Sequence, residues 1–448
     1  MKQTASVKST DRLYFPENIE FRRYDDGTWL VVFVHLANWI VLSNDFQRML
    51  LDNLILGKNI GEVFRMASSD DEKLAFNNLL AALFARSVAR TDGVPECQVL
   101  DSSKMLNCYL TNACNLTCEH CFMNAGKKLS NELKLDEWKR ILTEFHTGGG
   151  KSVTFTGGEP IMNPDFAEIV RFSYDLGLSV TVLSNGLLWD ERLIKSLAPF
   201  LSEVQISVDG VDECSNSKVR GKGGFSKAVQ TIISLANAGV RTSVATTFTF
   251  DNLSAETASL YKSMVEGIRK ACNANPVFFK LSKKLLQGRN TSYSDSENRR
   301  YYKIISEIES YVEPGATFNN FMEGHTPGLV ARNCGFGGLS IAADGEVYFC
   351  NRISEVESYG NVREASIDYF LEYGKQLYEQ TSVDVVVPCK SCHLRYICSG
   401  GCRIDDFNFR GHLKNHTTPI IREHCTEDFV TKLERKMIES YKYLYTFK

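Results

Sequence analysis

This 448-residue chain has no sustained basic run: 51 Lys and Arg stand against 54 Asp and Glu, a formal net charge of -3. Nothing in it provides a general electrostatic attraction for nucleic acid or acidic membranes, so neither is an expected partner. Long apolar runs are also lacking. The longest, Leu30 to Leu42, is broken by His35 and Asn38 and falls short of the roughly 20 residues that span a bilayer. The first ten residues are polar and contain no apolar segment of a secretory signal, which makes a cytoplasmic protein the expectation. Hydrophobic residues supply 43% of the chain and charged residues 23%, the balance of a soluble globular protein. The length exceeds one ordinary core and implies two or three domains. Fourteen cysteines in a long cytosolic chain point to metal ligation rather than to disulfides.

Three zones follow one another. In the first, Thr28 to Val34 and Asn38 to Leu42 are rich in Trp, Val, Phe and Ile and predict a β-hairpin. Helical patterns come next, with Ser43 as N-cap for Phe46 to Leu54, Gly57 as a stop, and an amphipathic helix over Glu72 to Arg90. A hairpin and three short helices suggest a winged-helix-like domain over residues 1–95.

The second zone, residues 104–300, alternates strands and helices. Strands are expected at Leu106 to Thr111, Ser152 to Thr156, Ser179 to Leu183, Glu203 to Val208, Thr242 to Thr247 and Val277 to Lys280. Helices fit between them at Leu135 to His146, Pro164 to Leu176 and Phe225 to Ala238. This repetition predicts an α/β fold with a parallel sheet, open or curled into a barrel, with its chemistry at the carboxyl ends of the strands. The third zone, about 325–435, has few long helical patterns and most of the remaining cysteines, so metal is expected to hold it together.

Cys114, Cys118 and Cys121 put three thiolates within eight residues, just past the first strand of the second zone. A closed 4Fe-4S cluster takes four cysteines; three leave one iron open. Three cysteines alone also suit zinc, but the next strand ends in Gly157, Gly158, Glu159 and Pro160. Glycines permit close backbone approach, and the glutamate can accept from an ammonium. This pair of motifs, with Phe122 after the last cysteine, resembles the radical S-adenosylmethionine (SAM) superfamily, whose fold is a partial (β/α)6 TIM-like barrel. The resemblance implies that Gly157, Gly158 and Glu159 receive the amino group of SAM. It also implies polar contacts from Asn185, Ser207 and Asp209, and a carboxylate contact from Arg220. Where the family often has His-Asp before that arginine, this chain has Asn216 and Ser217.

Seven further cysteines, Cys334, Cys350, Cys389, Cys392, Cys398, Cys402 and Cys425, follow the order of the SPASM domain of peptide-modifying relatives. By that resemblance Cys389, Cys392, Cys398 and Cys425 close one auxiliary 4Fe-4S cluster, while Cys334, Cys350 and Cys402 hold a second. His325 is a candidate for the missing fourth ligand. Two structural zinc sites are the competing reading of this stretch. Cys97, Cys108, Cys214 and Cys272 fit no motif and are expected to be buried, inert thiols.

The first zone is similar in element order to the PqqD-like module that binds a precursor peptide's leader by adding it to a sheet edge. Its eleven basic and eleven acidic residues over 1–90 do not favour a DNA-binding winged helix. The family resemblance therefore implies a maturase with three 4Fe-4S clusters. It would crosslink a ribosomal peptide oxidatively through carbon-carbon or thioether bonds, drawing electrons from a flavodoxin or ferredoxin. A sulfatase-type formylglycine maturase and an iron-sulfur redox sensor are the alternatives.

Overall fold

The computed structural model describes residues 7–100, 105–272, 275–315, 329–417 and 419–446. The chain divides into two compact units: Met1–Asp101 with Thr317–Cys334 and Glu379–Lys448, and Ser102–Ala316 with Gly335–Tyr378.

The first unit opens with β1 (Ile19–Arg23), β2 (Trp29–Phe33) and β3 (Asn38–Leu42), an antiparallel sheet in that order. The hairpin of β2 and β3 matches the sequence expectation, and β1 is an addition. Its alternation of Ile19, Phe21 and charged residues is too polar to have been read as a strand. Three helices follow: α1 (Asp45–Ile55), α2 (Ile60–Phe64) and α3 (Asp70–Ala85). The N-cap of α1 is Asn44, whose side chain accepts from the Gln47 amide, and not Ser43. Ser43 is occupied otherwise, its amide donating to Gln47 Oε1 at 2.8 Å. Capping boxes start α2 (Asn59, Glu62) and α3 (Ser69, Glu72), each satisfying two orphan backbone donors. Gly57, at φ +85°, ends the first helical segment as its sequence position predicted. A two-residue strand, β4 (Gln98–Val99), closes this stretch.

The second unit holds a parallel sheet of β5 (Met105–Tyr109), β6 (Ser152–Thr156), β7 (Ser179–Ser184), β8 (Glu203–Ser207), β9 (Arg241–Thr246) and β10 (Val277–Leu281). All six were expected, within about a residue at each end for most. Between them run α4 (Leu135–Thr147), α5 (Phe166–Asp175), α6 (Glu191–Leu197), α7 (Glu213–Arg220), α8 (Phe225–Asn237) and α9 (Thr257–Ala271), and α10 (Asp295–Val312) comes after β10. The six strands lie side by side in chain order. With right-handed crossovers, an order that never reverses keeps every helix on one face, as in an incomplete barrel rather than a doubly wound sheet. Alternate strand residues, Leu106, Val153, Phe155, Val180, Val182, Val204, Ile206 and Val244, are fully buried. The other parity is half-exposed, and there Thr156, Leu183, Gln205 and Ser207 line an interior cavity.

The chain returns to both units after α10. Leu329–Val330 (β11) pairs with β4 in the first unit, while β12 (Leu339–Ile341) pairs in parallel with β5 and β13 (Val347–Tyr348) closes that edge antiparallel. Two long helices were not read from the sequence: α11 (Ile367–Gln380) and, beyond the one-turn α12 (Arg395–Cys398), α13 (Glu427–Thr446). Interspersed charges and tyrosines obscure the apolar stripe of each. In the first unit α13 packs on β3, where Trp39 Nε1 donates to the Met437 carbonyl at 3.2 Å. The stretch from 325 to 435 is thus shared between the units. No helix among the described residues is long and apolar enough to cross a membrane.

Candidate active site

The loop after β5 carries Cys114, Cys118 and Cys121, all half-buried. It is tied down before any metal binds. The Cys114 amide donates to the Gly126 carbonyl at 2.9 Å, and Gly126 returns a bond to Asn112 at 2.9 Å. Buried Glu132 accepts from the Thr111 hydroxyl and from the Asn112 and Leu129 amides. Arg289 donates to the Cys118 and Ala125 carbonyls. No motif marks Arg289, an arginine following Gly288. Burial pushes the Cys118 thiol up to about 11, against the nearby Arg220 guanidinium, and raises Cys114 as well. A metal that binds them therefore has protons to displace.

The two glycines after β6 serve the protein as well as any ligand. The Gly158 and Glu159 amides donate to Thr111 and Ala113 at 2.8 Å. A Cβ on Gly157 would strike the Thr111 carbonyl oxygen, and one on Gly158 that of Ala113. Close backbone approach was the expected reason for glycine here, and the group approached is the cysteine loop itself.

Cys114, Cys118, Cys121, Phe122, Gly157, Gly158, Asn185, Ser207 and Arg220 line one cavity of about 330 Å³. Glu159 and Asp209 do not line it. Glu159 is wholly buried and accepts from the Ser184 hydroxyl and the Asn185 amide, both at 2.8 Å. Burial pushes its carboxyl up to about 7, over the opposing hydrogen bonds. Asn185 is held by its own contacts, Nδ2 donating to Asn115 Oδ1 at 2.8 Å. Asp209, 1% exposed, meets Arg220 Nε at 2.5 Å and His120 Nε2 at 3.1 Å. Burial alone would raise its pKa, but the Arg220 guanidinium, His120 and the Thr247 amide hold it near 2. His120 also lines the cavity. It stands inside the cysteine motif, where sequence reasoning passed over it as a spacer.

The described thiols of the third zone are not equally placed. In the first unit Cys389 begins a 3-10 turn and Cys392 follows it, its amide bonded to the Cys389 carbonyl at 2.9 Å. Arg422 Nη1 donates to Cys398 Sγ at 3.2 Å and reaches Cys425 Sγ at 3.7 Å. Burial, the largest influence on each, raises the Cys389 and Cys392 thiols, which stand near Cys398 and Cys425, and the Cys402 thiol, which stands near Cys334. Cys350 belongs to the second unit, where Tyr109 at the end of β5 donates to the Asn351 carbonyl beside it. His325 lies outside the described residues. Among those described, no three His, Cys, Asp or Glu side chains are gathered tightly enough for a single metal ion. Of the four cysteines without a motif, Cys108 is buried as expected, but Cys97 and Cys214 are exposed and Cys272 is half-buried. Cys214 sits in the first turn of a short, polar helix, which offers it no core.

Three thiols past a strand's carboxyl end and the Arg220 guanidinium, which meets Asp209 through Nε and keeps its Nη pair beyond that contact, suit a 4Fe-4S cluster and a carboxylate-bearing ligand. Residues 108–263 match the model of the Radical SAM superfamily. It is similar to the sporulation killing factor maturation protein SkfB of Bacillus subtilis, 35% identical over 196 residues, which are 43% of this chain and 46% of SkfB. The match thus spans less than half of that relative. The chain is 27% identical to an AdoMet-dependent heme synthase of Nitratidesulfovibrio vulgaris, over 71% of this chain and 91% of the synthase. It is also 27% identical to the mycofactocin maturase MftC of Mycolicibacterium smegmatis, over 69% and 80%. In fold it is similar to anSMEcpe with bound AdoMet, with TM-score 0.52, 16% identity, and coverage of 76% and 96%. The cysteine-rich carboxyl-terminal stretch fits a SPASM domain.

Proposed function

We propose that this protein is a radical SAM maturase of a ribosomally made precursor peptide. The carrying observation is the single cavity in which Cys114, Cys118 and Cys121 meet Gly157, Gly158, Asn185, Ser207 and Arg220 at the carboxyl ends of consecutive strands. Cys114, Cys118 and Cys121 would hold a 4Fe-4S cluster, which with bound SAM supplies one-electron cleavage of the sulfonium and a hydrogen-abstracting 5′-deoxyadenosyl radical. Arg220 would bind the carboxylate of SAM, and the Gly157–Gly158 turn its amino end. The apolar walls, half-buried Leu116, Phe122 and Leu183 and buried Leu285, would exclude water around the reacting carbon. Cys389, Cys392, Cys398 and Cys425, and separately Cys334, Cys350 and Cys402, would hold two auxiliary clusters. These would take an electron from the substrate radical, which makes the net reaction a two-electron oxidation such as a carbon-carbon or thioether crosslink. A flavodoxin or ferredoxin would supply the reducing electron.

Peptide rather than porphyrin is favoured by the front of the chain. Sheet β1-β2-β3 has two edges. On β3 the outward groups of Trp39 and the Ser43 amide are taken, the Trp39 amide bonding Asn38 Oδ1, its carbonyl accepting from Arg86 and the Ser43 amide bonding Gln47, and α13 packs on this strand. On β1 the Tyr24–Thr28 and Val34–Asn18 bonds fix the ladder's phase, so Ile19, Phe21 and Arg23 point their backbone groups away from β2. These have no partner among the described residues. An extended leader can add there as a fourth strand.

The test is SAM cleavage by anaerobic protein with the precursor encoded beside its gene and, separately, with an iron porphyrin. Peptide-stimulated 5′-deoxyadenosine and a modified peptide mass are expected. Turnover of the porphyrin alone overturns the reading. Phe21→Pro removes one outward amide at an edge where proline is tolerated. It should weaken leader binding about tenfold or more, with melting temperature and iron content as in the parent.

A further inference from the structure

We infer that Asp209 is a positioning residue that aims Arg220 at the SAM carboxylate, and that it makes no contact with SAM itself. The inference rests on the proposed assignment of Arg220.

Asp209 is 1% exposed and stands outside the cavity lining, whereas Arg220 is in it. Both carboxylate oxygens are engaged. Oδ2 is shared by Arg220 Nε at 2.5 Å and His120 Nε2 at 3.1 Å, and Oδ1 accepts from the Thr247 amide at 2.6 Å. Its backbone is pinned too. The Asp209 amide donates to Asn216 Oδ1 at 3.0 Å, and its carbonyl accepts from Asn252. An ammonium or hydroxyl of a ligand could reach this carboxylate only by displacing one of those donors.

What remains free is the far end of the arginine. Asp209 engages Nε, and neither Nη nitrogen of Arg220 has a hydrogen-bond partner among the described residues. A guanidinium fixed at Nε presents its Nη pair as a planar fork, the geometry that binds a carboxylate through two oxygens. His120 brings the same carboxylate to the cysteine loop, one residue before Cys121. Asp209 therefore ties three things together: the end of β8, the arginine that ends α7 and the loop that would carry the cluster. Asn216, at the position where relatives often have one member of a His-Asp pair, is part of this support, since its side chain holds the Asp209 amide.

A double-mutant cycle decides the matter. SAM affinity is measured by equilibrium binding to reconstituted protein, with iron per chain and the change in the reduced cluster's electron paramagnetic resonance on adding SAM as further readouts. R220A and D209N should each raise the SAM Kd by about ten- to a hundredfold. The double variant should bind no more weakly than R220A alone, and iron per chain should match the parent in all of them. Additive losses mean that Asp209 touches SAM and overturn the inference. A D209N protein with parental affinity beside a weakened R220A also overturns it. Parental affinity in R220A instead removes the underlying assignment of Arg220. Should D209N give no folded protein, D209E fills the same corner of the cycle, because it keeps the charge but moves it off Nε, and the same non-additivity is required.

Discussion

The two cysteine-bearing regions of this chain are built on different principles. The loop of Cys114, Cys118 and Cys121 hangs from a sheet whose buried parity, from Leu106 to Val244, has essentially no exposure. Its backbone is closed on itself and on the Gly157–Gly158 turn by hydrogen bonds that need no ligand. The stretch from Cys389 to Cys425 has a 3-10 turn, one helical turn and isolated bridges in place of a sheet. Its largest fully buried side chain is Arg403, which donates to the carbonyls of Thr381, Ser399 and Gly401. Leu394, Ile397, Ile404, Phe407 and Phe409 are buried there as well, but the backbone they would have to order is mostly loop, without a strand ladder to share that entropy. The first site is preformed; the second should depend on its metal.

The largest effect expected from that contrast is in folding. Replacing Cys389, Cys392, Cys398 and Cys425 together with alanine should unfold the carboxyl-terminal part of the first unit, since structural metal binding is worth on the order of 10 kcal/mol. Replacing Cys114, Cys118 and Cys121 together should leave the melting temperature within a few degrees of the parent. It should lower iron from about twelve to about eight per chain and abolish SAM cleavage. Circular dichroism, limited proteolysis and iron analysis separate the outcomes. Equal melting of both variants breaks the comparison, and zinc in place of iron breaks the cluster assignment with it.

The same contrast explains what could be read before the structure. The barrel was legible because six apolar strands alternate with amphipathic helices, and because motif residues sit at strand ends where ligands bind. The site was legible as a list of motifs but not as a set of roles. Glu159 and Asp209 look like ligand contacts by position, yet their carboxylates are used up inside the protein. His120 and Arg289 carry support that no spacing rule marks. Strand β1 was missed because an edge strand with one face in water needs few apolar residues. Helix α13 was missed because its charges and tyrosines obscure the apolar stripe of Met437, Ile438 and Tyr441. That helix and the front sheet share one compact unit, so leader binding is better tested by substitution at β1 than by deleting residues 1–95.

A second, smaller effect probes the preformed half directly. Gly158→Ala would drive a Cβ into the Ala113 carbonyl, and backbone meets backbone there, with no flexible side chain to yield. A cost of about 3 kcal/mol or more is expected. Iron at the Cys114 site should fall with it, while the auxiliary clusters stay loaded. Full iron and parental stability in this variant would show the loop to be softer than its hydrogen bonds suggest.

The smallest effect concerns charge inside the rigid unit. Burial holds the Glu159 carboxyl near 7 in the folded protein, against roughly 4.3 for an unperturbed glutamate. Between those values the folded state keeps a proton that the unfolded state releases. The stability this contributes is complete below the unfolded pKa and is lost as pH rises through the folded one. Glu159→Gln removes the titration but keeps an acceptor oxygen for the Ser184 hydroxyl or the Asn185 amide. In a background lacking Cys114, Cys118 and Cys121, so that no adjacent cluster charge intervenes, stability relative to this variant should fall from about pH 4.3 to about 7 and level off above it, by at most about 4 kcal/mol in all. Chemical denaturation at several pH values measures it. A difference that stays flat, or that grows with pH, would mean that the Asn185 and Ser184 hydrogen bonds outweigh burial and that Glu159 is already ionised in the preformed site.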